Sequence, residues 1–248
     1  MITLKSPREI EFMREAGKIA GEAHELVGKA VRPGVTTKHL DEIVRRHIEK
    51  CGAVPSFLGY SGYPATINAS VNDEIVHGIP GDRVLKDGDI VSIDLGAKYK
   101  GFHSDCARTY AVGHISAEAA RLISVTEQAF YAGMNAFQDG SHLVSISAAV
   151  QKTAEDAGFS VVRELVGHGI GRDLHEEPNV PNFVSIGRGP RLRVGMVLAI
   201  EPMINYGGKE TVTMPDGWTV QTKDGSLSAH YENTVALTDN GPLILTQA

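Results

Sequence analysis

Cysteine is almost missing from this chain: only Cys51 and Cys106 occur in 248 residues. They form no CxxC pair, so they suggest neither a disulfide framework nor a zinc ribbon. Cys106 follows Asp105 and, in a strand, points to the opposite sheet face, as a buried structural thiol would. Long apolar runs are missing too. None approaches the ~20 residues of a membrane span. The opening MITLKSPREIEFMREAG is charged and helical, unlike the apolar centre of a secretory signal. The expected compartment is the cytoplasm, with no membrane partner. Nor is there a block of Lys and Arg. Formal net charge is −6 with both signs interspersed, so no nucleic-acid surface is expected. Tryptophan occurs once, at Trp218.

What is present suits a folded chain: 42% hydrophobic residues supply ample core for one large domain or two fused halves. Residues 7–31 carry Ile10, Met13, Ala16, Ala20 and Leu26 at helical spacing, after a Ser6 N-cap with Pro7 first and Glu9 third. Residues 37–50 place Leu40, Ile43, Val44 and Ile48 on one face, and Gly52 ends the helix. Further helices are expected over 116–138, capped by Ser116, and over 145–157. Strands are expected at VVREL, MVLAIEPMIN, WTVQTKD and SAHYENTVALT. Helix, helix, strands then occurs twice, which predicts an α+β protein with two similar halves, about 1–115 and 116–248.

The most telling stretch is IVSIDLGAKYKGFHSDCARTYAV, residues 90–112. Its flanks predict two strands, and Lys98–Gly101 a tight turn. Closure about Tyr99 and Lys100 would set Asp94 directly opposite Asp105, with Cβ atoms ~5 Å apart. Like charges so close, half buried by Ile93 and Leu95 on the other face, call for a cation between them. Glu201, in the apolar strand GMVLAIEPMIN, raises the same question. So do Glu232 in SAHYENTVAL and His168 between glycines in LVGHGIG. A salt bridge would answer for any one of them. Four carboxylates and an imidazole together make a hard, oxygen-rich set that suits Mn²⁺, Fe²⁺, Co²⁺ or Zn²⁺. Two such ions lower the pKa of water and polarise carbonyls, so hydrolysis is the expected chemistry. The run His175-Glu176-Glu177-Pro178 is not HExxH, and no GxSxG elbow, Walker loop or dinucleotide fingerprint is present. The glycines about His168 let backbone pass close to the site.

Five ordered stretches, NDEIVHGIP, IDLGAKYKGFHSDCART, GHGIGRDLHEEP, AIEPM and HYENT, give the chain a resemblance to the type I methionine aminopeptidases. That family has the pita-bread fold, with helices outside a curved, mostly antiparallel sheet. The resemblance implies a single catalytic domain over 1–248 that removes N-terminal methionine and prefers a small second residue. It makes Asp94, Asp105, His168, Glu201 and Glu232 ligands of two divalent ions, with Asp105 and Glu232 shared. Asp94 completes one sphere; His168 and Glu201 complete the other. His77 and His175 match the two active-site histidines that are not ligands. They would contact the scissile amide and the carbonyl oxygen, while Glu201 shuttles a proton. Phe57, Tyr60, Tyr63 and Trp218 would line the methionine pocket. Phe57, Asn68 and Leu174 depart from several bacterial relatives, which bears on pocket size. Asn72 and Ser228 match positions that hold a monovalent cation in some relatives. About thirty residues separate Glu201 from Glu232, too few for the helical insertion of the type II class. The start at the catalytic domain, without a zinc-binding extension, suggests a bacterial-type enzyme. Implied partners are peptides and nascent chains, with the ribosome where such chains emerge; the enzyme is expected to be a monomer.

Two readings compete. Xaa-Pro aminopeptidases and prolidases share the ligand pattern but usually carry a large N-terminal domain. Non-catalytic pita-bread modules bind other proteins and have lost the ligands. A third arrangement, carboxylate–arginine networks without metal, predicts cationic partners for each acid.

Overall fold

Four helices form the outer layer: α1 (Pro7–Ala30), α2 (Thr37–Lys50), α3 (Ala117–Ala136) and α4 (Val144–Asp156). They come from a computed structural model that describes residues 1–248. Local chemistry explains why they lie where the sequence places them. The Ser6 side chain accepts from the Glu9 amide, and the Glu9 carboxylate accepts from the Ser6 amide. This reciprocal cap satisfies two donors that a helix start leaves free. Ser116 caps α3 through the Ala119 amide. On α2, Leu40, Val44 and Ile48 are fully buried, each contributing roughly 1.5–3 kcal/mol by burial. One expectation on α1 fails. Leu26 is exposed, and the buried seam runs through Met13, Ala16, Ala20, Ala23 and Val27, with His24 beside it.

The main sheet has nine strands, and every pairing in it is antiparallel. Its longest strands form the hairpin of Ile90–Tyr99 and Phe102–Ala111. One hairpin face presents Ile93, Leu95 and Cys106 to a core shared with α1 and α2. Cys106 is fully buried there, as expected. Beyond the second hairpin strand the sheet continues through Glu232–Thr238, Val197–Ile200, Gly167–Gly169 and Glu176–Val180. In the second half, α3 and α4 pack with Phe159, Val161, Ile204 and Ala229 in a separate core.

The hairpin corrects the expected register. Tyr99 pairs with Phe102, so the loop is Lys100-Gly101, with φ of 49° and 82°. A two-residue hairpin loop with both φ positive matches the twist of the strands, and glycine suits its second position. Closure is therefore one residue later than expected. Asp94 pairs with Ala107, and Asp105 with Gly96. The two aspartates are diagonal neighbours, still on one face, because a two-residue change of pairing preserves the face.

Two expected strands are each broken in two. Val197–Ile200 stops before Glu201-Pro202, and Met203–Asn205 resumes beyond. Ser228–His230 is separated from Glu232–Thr238 by Tyr231. Each first or last piece belongs to a different sheet: Met203–Asn205 and Ser228–His230 form a three-stranded sheet with Ser160–Val161. Glu201 and Glu232 thus lie where the chain steps between sheets, not within continuous strands. The expected strand over 161–165 shrinks to Ser160–Val161, and that over 218–224 to Val220–Thr222.

Candidate metal centre

Asp94 and Asp105 are carried into the centre by the hairpin, and the strand after it brings Glu232, whose Cα partner is Ala107. His168 stands opposite Ala199, two residues before Glu201. Close backbone approach explains the glycines about His168. A Cβ on Gly167 would lie 2.4 Å from the Ala199 carbonyl oxygen, and one on Gly169 2.2 Å from that of Glu177. All of these side chains line one cavity of about 200 Å³. His77, His175, Phe57, Tyr60, Tyr63 and Trp218 line the same space, as do Asn68 and Leu174. A larger cleft of about 760 Å³, bordered by Arg108, Tyr231 and Ala248, contains none of the five expected ligands.

The acids have no cationic partners. Asp94 Oδ1, Asp105 Oδ1 and Glu232 Oε1 are buried without a hydrogen-bond partner. Arg108 enters the same region but donates to the backbone oxygens of Ala107 and Glu232 and to Asn233 Oδ1. That removes the carboxylate–arginine network as an explanation. Burial pushes Asp94 up to about 7. Burial, then the charges of Glu232 and Asp94, hold Asp105 well above the ordinary carboxylate range. Glu201 is raised by burial and then by Asp105 and Asp94, and Glu232 by burial and then by Glu201 and Asp94. Such a set is unfavourable alone. Hard divalent cations match its oxygen-rich donors and its unpartnered oxygens.

The imidazoles are arranged to serve the same centre. His168 Nδ1 lies 2.8 Å from the Gly169 carbonyl oxygen. A proton there leaves the Nε2 lone pair facing Asp105 Oδ2 at 3.8 Å and Glu201 Oε1 at 3.6 Å. Burial, then the nearby His175, hold His168 down to about 3. His175 Nδ1 lies 2.7 Å from the Tyr60 hydroxyl, and its ring packs 4.3 Å from that of His168. His77 is pushed down to about 4 by burial and then by His175. Both His77 and His175, the latter also lowered by burial, are neutral at pH 7.

Asn72 and Ser228 lie together outside this cavity. The Asn72 carbonyl accepts from the Ser228 amide at 2.8 Å. Their side chains are already engaged: Asn72 with Asp89 and the Ile90 amide, Ser228 with Ile204 O and Asn205 Oδ1.

Sequence reasoning missed His230. It is buried, and neither ring nitrogen has a hydrogen-bond partner. Its Nε2 lies 3.7 Å from Glu201 Oε2 and 3.9 Å from Glu232 Oε2. The signal was its position two residues before Glu232 in HYENT. Thr234 was missed as well: its hydroxyl accepts from the Asp105 amide and donates to the Asp105 carbonyl, both at 2.9 Å. Asn182 donates to the Glu201 carbonyl.

The fold and the cage together define the class, a metallopeptidase. The model of "Metallopeptidase family M24" matches residues 11–239, and the chain belongs to that family. Within it, the chain is 56% identical over 246 residues to a methionine aminopeptidase of Clostridium perfringens, covering 99% of each sequence. The crystal structure of methionine aminopeptidase from Thermotoga maritima superposes with a TM-score of 0.98 at 43% identity, covering 100% of both chains. An Xaa-Pro dipeptidase from Bacillus anthracis gives a TM-score of 0.79 at 25% identity; 99% of this chain matches 62% of that one. The pita-bread architecture expected from the sequence is thereby shown.

Proposed function

We propose that this protein removes the N-terminal methionine from peptides and nascent proteins by metal-dependent hydrolysis, preferring a small second residue. One observation carries this reading: the acidic cage and two neutral imidazoles open into a single small cavity walled by Phe57, Tyr63, Leu174 and Trp218. That wall suits an unbranched apolar side chain, and the full-length similarity to methionine aminopeptidases supports the choice of methionine. Asp94, Asp105, His168, Glu201 and Glu232 would hold two divalent ions. When bound, the ions supply Lewis acidity and a water-derived nucleophile at neutral pH.

The chain's own residues do the rest. In the tautomer in which His175 Nδ1 accepts from the Tyr60 hydroxyl 2.7 Å away, Nε2–H is the donor left for the substrate carbonyl oxygen as negative charge develops on it. His77, uncharged, hydrogen-bonds the scissile amide nitrogen. The Glu201 carboxylate takes the nucleophile's proton and returns it to the departing amine. Residues 1–248 act as one catalytic domain, because the central sheet takes strands from both halves of the chain. With the Asn72 and Ser228 side chains engaged, a monovalent cation there would be held by backbone carbonyl oxygens, each of which has a second lone pair beside any hydrogen bond that it accepts. The substrate class argues for action in the cytoplasm, on chains leaving the ribosome.

The test is chelation followed by add-back of Mn²⁺, Fe²⁺, Co²⁺ or Zn²⁺, with Met-Ala-Ser and an Xaa-Pro peptide as substrates. Metal-dependent release of methionine from Met-Ala-Ser is expected. Cleavage confined to the Xaa-Pro peptide would favour the prolidase reading, and no cleavage of either would favour a binding module.

A further inference from the structure

Away from the central cavity, α1 and α2 bring three unlike donors together. Glu22 from α1 meets His47 and Cys51 at the end of α2, with one donor atom from each within 4.8 Å of the others. Cys51 Sγ lies 3.6 Å from His47 Nε2, and Glu22 Oε2 lies 3.4 Å from that same nitrogen.

A catalytic relay would place the thiol on one ring nitrogen and the carboxylate on the other. Here both face Nε2, which has either one proton or one lone pair and serves only one of them well. A cation at the centre of the three would satisfy all of them. The spacing matches: zinc bonds of about 2.3 Å to sulfur and about 2.0–2.2 Å to nitrogen and oxygen, at tetrahedral angles, put sulfur ~3.6 Å and oxygen ~3.4 Å from the nitrogen.

We propose that Glu22, His47 and Cys51 form a binding site for one zinc-like divalent ion, separate from the catalytic cage and with its fourth position open to solvent. The donors are held in place beforehand. The Cys51 amide donates to the His47 carbonyl, fixing the last turn of α2. The other Glu22 oxygen faces Lys18 at 3.9 Å. Solvent can reach the site, since the Glu22 side chain is 37% exposed and that of His47 15%. A thiolate and a carboxylate neutralise a divalent charge, and the sulfur selects a softer ion than the oxygen-rich cage does. Binding displaces the thiol proton, which burial and then Glu22 hold above its ordinary pKa, so affinity rises with pH. The ion ties α1 to α2, which stabilises the folded chain by mass action.

The test is a Co²⁺ titration of the metal-free, full-length protein, read by absorbance. Only a sulfur ligand gives a thiolate-to-cobalt charge-transfer band in the near ultraviolet; the catalytic donors are oxygen and nitrogen. A band is expected whose intensity corresponds to one sulfur-bound ion per chain, beyond the two ions that the cage takes without a band; it is lost in Cys51→Ser, is weakened in His47→Ala and is displaced by Zn²⁺. Methionine release stays unchanged in Cys51→Ser. No band in the wild-type protein, or a band that survives Cys51→Ser, would overturn the proposal. If Cys51→Ser fails to fold, alkylation of wild-type Cys51 decides the matter. Zn²⁺ should slow it by about tenfold or more, because a metal-bound thiolate is a poor nucleophile, and an unchanged rate would count against the site.

Discussion

His77 has a φ of 61°, a conformation uncommon for a side chain of its size and costing of order 1–3 kcal/mol. Its ring stands edge-on to Trp218, 6.4 Å between centroids, where it faces the cavity. On the proposed mechanism, that conformation aims an imidazole at the substrate. His77→Ala should lower turnover about 10²-fold or more while metal content stays at the wild-type level; wild-type turnover would remove His77 from the mechanism. For His230, whose Nε2 faces the Glu201 and Glu232 carboxylates that would hold metal, His230→Ala should weaken divalent-ion binding by about 10–100-fold. Calorimetric titration checks this, and unchanged affinity would reduce His230 to packing. The expected ligands were legible because a carboxylate in an apolar strand needs an explanation. His230 was not: a lone histidine beside a ligand reads as ordinary strand until its two unsatisfied nitrogens are seen.

At the scale of elements, the loop that carries His175 is anchored by a partly buried ion pair, Lys5 Nζ to Glu176 Oε2 at 2.6 Å. Burial raises the Glu176 carboxyl, but hydrogen bonds from Lys5, Thr3 and the Asp173 amide outweigh it and hold it below its ordinary pKa. A depressed carboxylate contributes stability above the unfolded pKa of about 4.5 and loses it as pH falls through the folded value. Lys5→Met should therefore cost about 1–2 kcal/mol at pH 7, because the half-buried carboxylate loses its charged donor but keeps those of Thr3, Arg172 and Asp173. Denaturant titrations should show that cost shrinking once the pH falls below about 4; a pH-independent difference would contradict the pairing. Helices were legible in the sequence because their signals are local, as Ser6 with Glu9 and Ser116 with Ala119 show. The hairpin register was not, since it turned on which two of the residues Lys98–Gly101 accept positive φ. The breaks at Glu201 and Tyr231 were hidden for a related reason. Apolar alternation continues across them, and only the step from one sheet to another interrupts the pairing.

For the whole molecule, the cage is a source of instability that metal relieves. Asp94 sits at about 7 in the folded chain against an ordinary 3.8, and the other cage acids are raised too. A raised carboxyl favours folding below its unfolded pKa, and that contribution is lost as pH rises through the folded value. Chelated protein should therefore have a lower Tm at pH 8 than at pH 5, and divalent ions should restore most of the difference at pH 8. Equal Tm values at the two pH values would show that the acids are not buried together as described. The most direct measurement is a calorimetric titration of metal-free protein with Mn²⁺, an ion the thiol-bearing surface site disfavours. Two ions per chain should bind to the wild-type protein, with binding lost or severely weakened in Asp105→Asn. Undiminished Mn²⁺ binding by that variant, or none by the wild-type protein, would contradict the account.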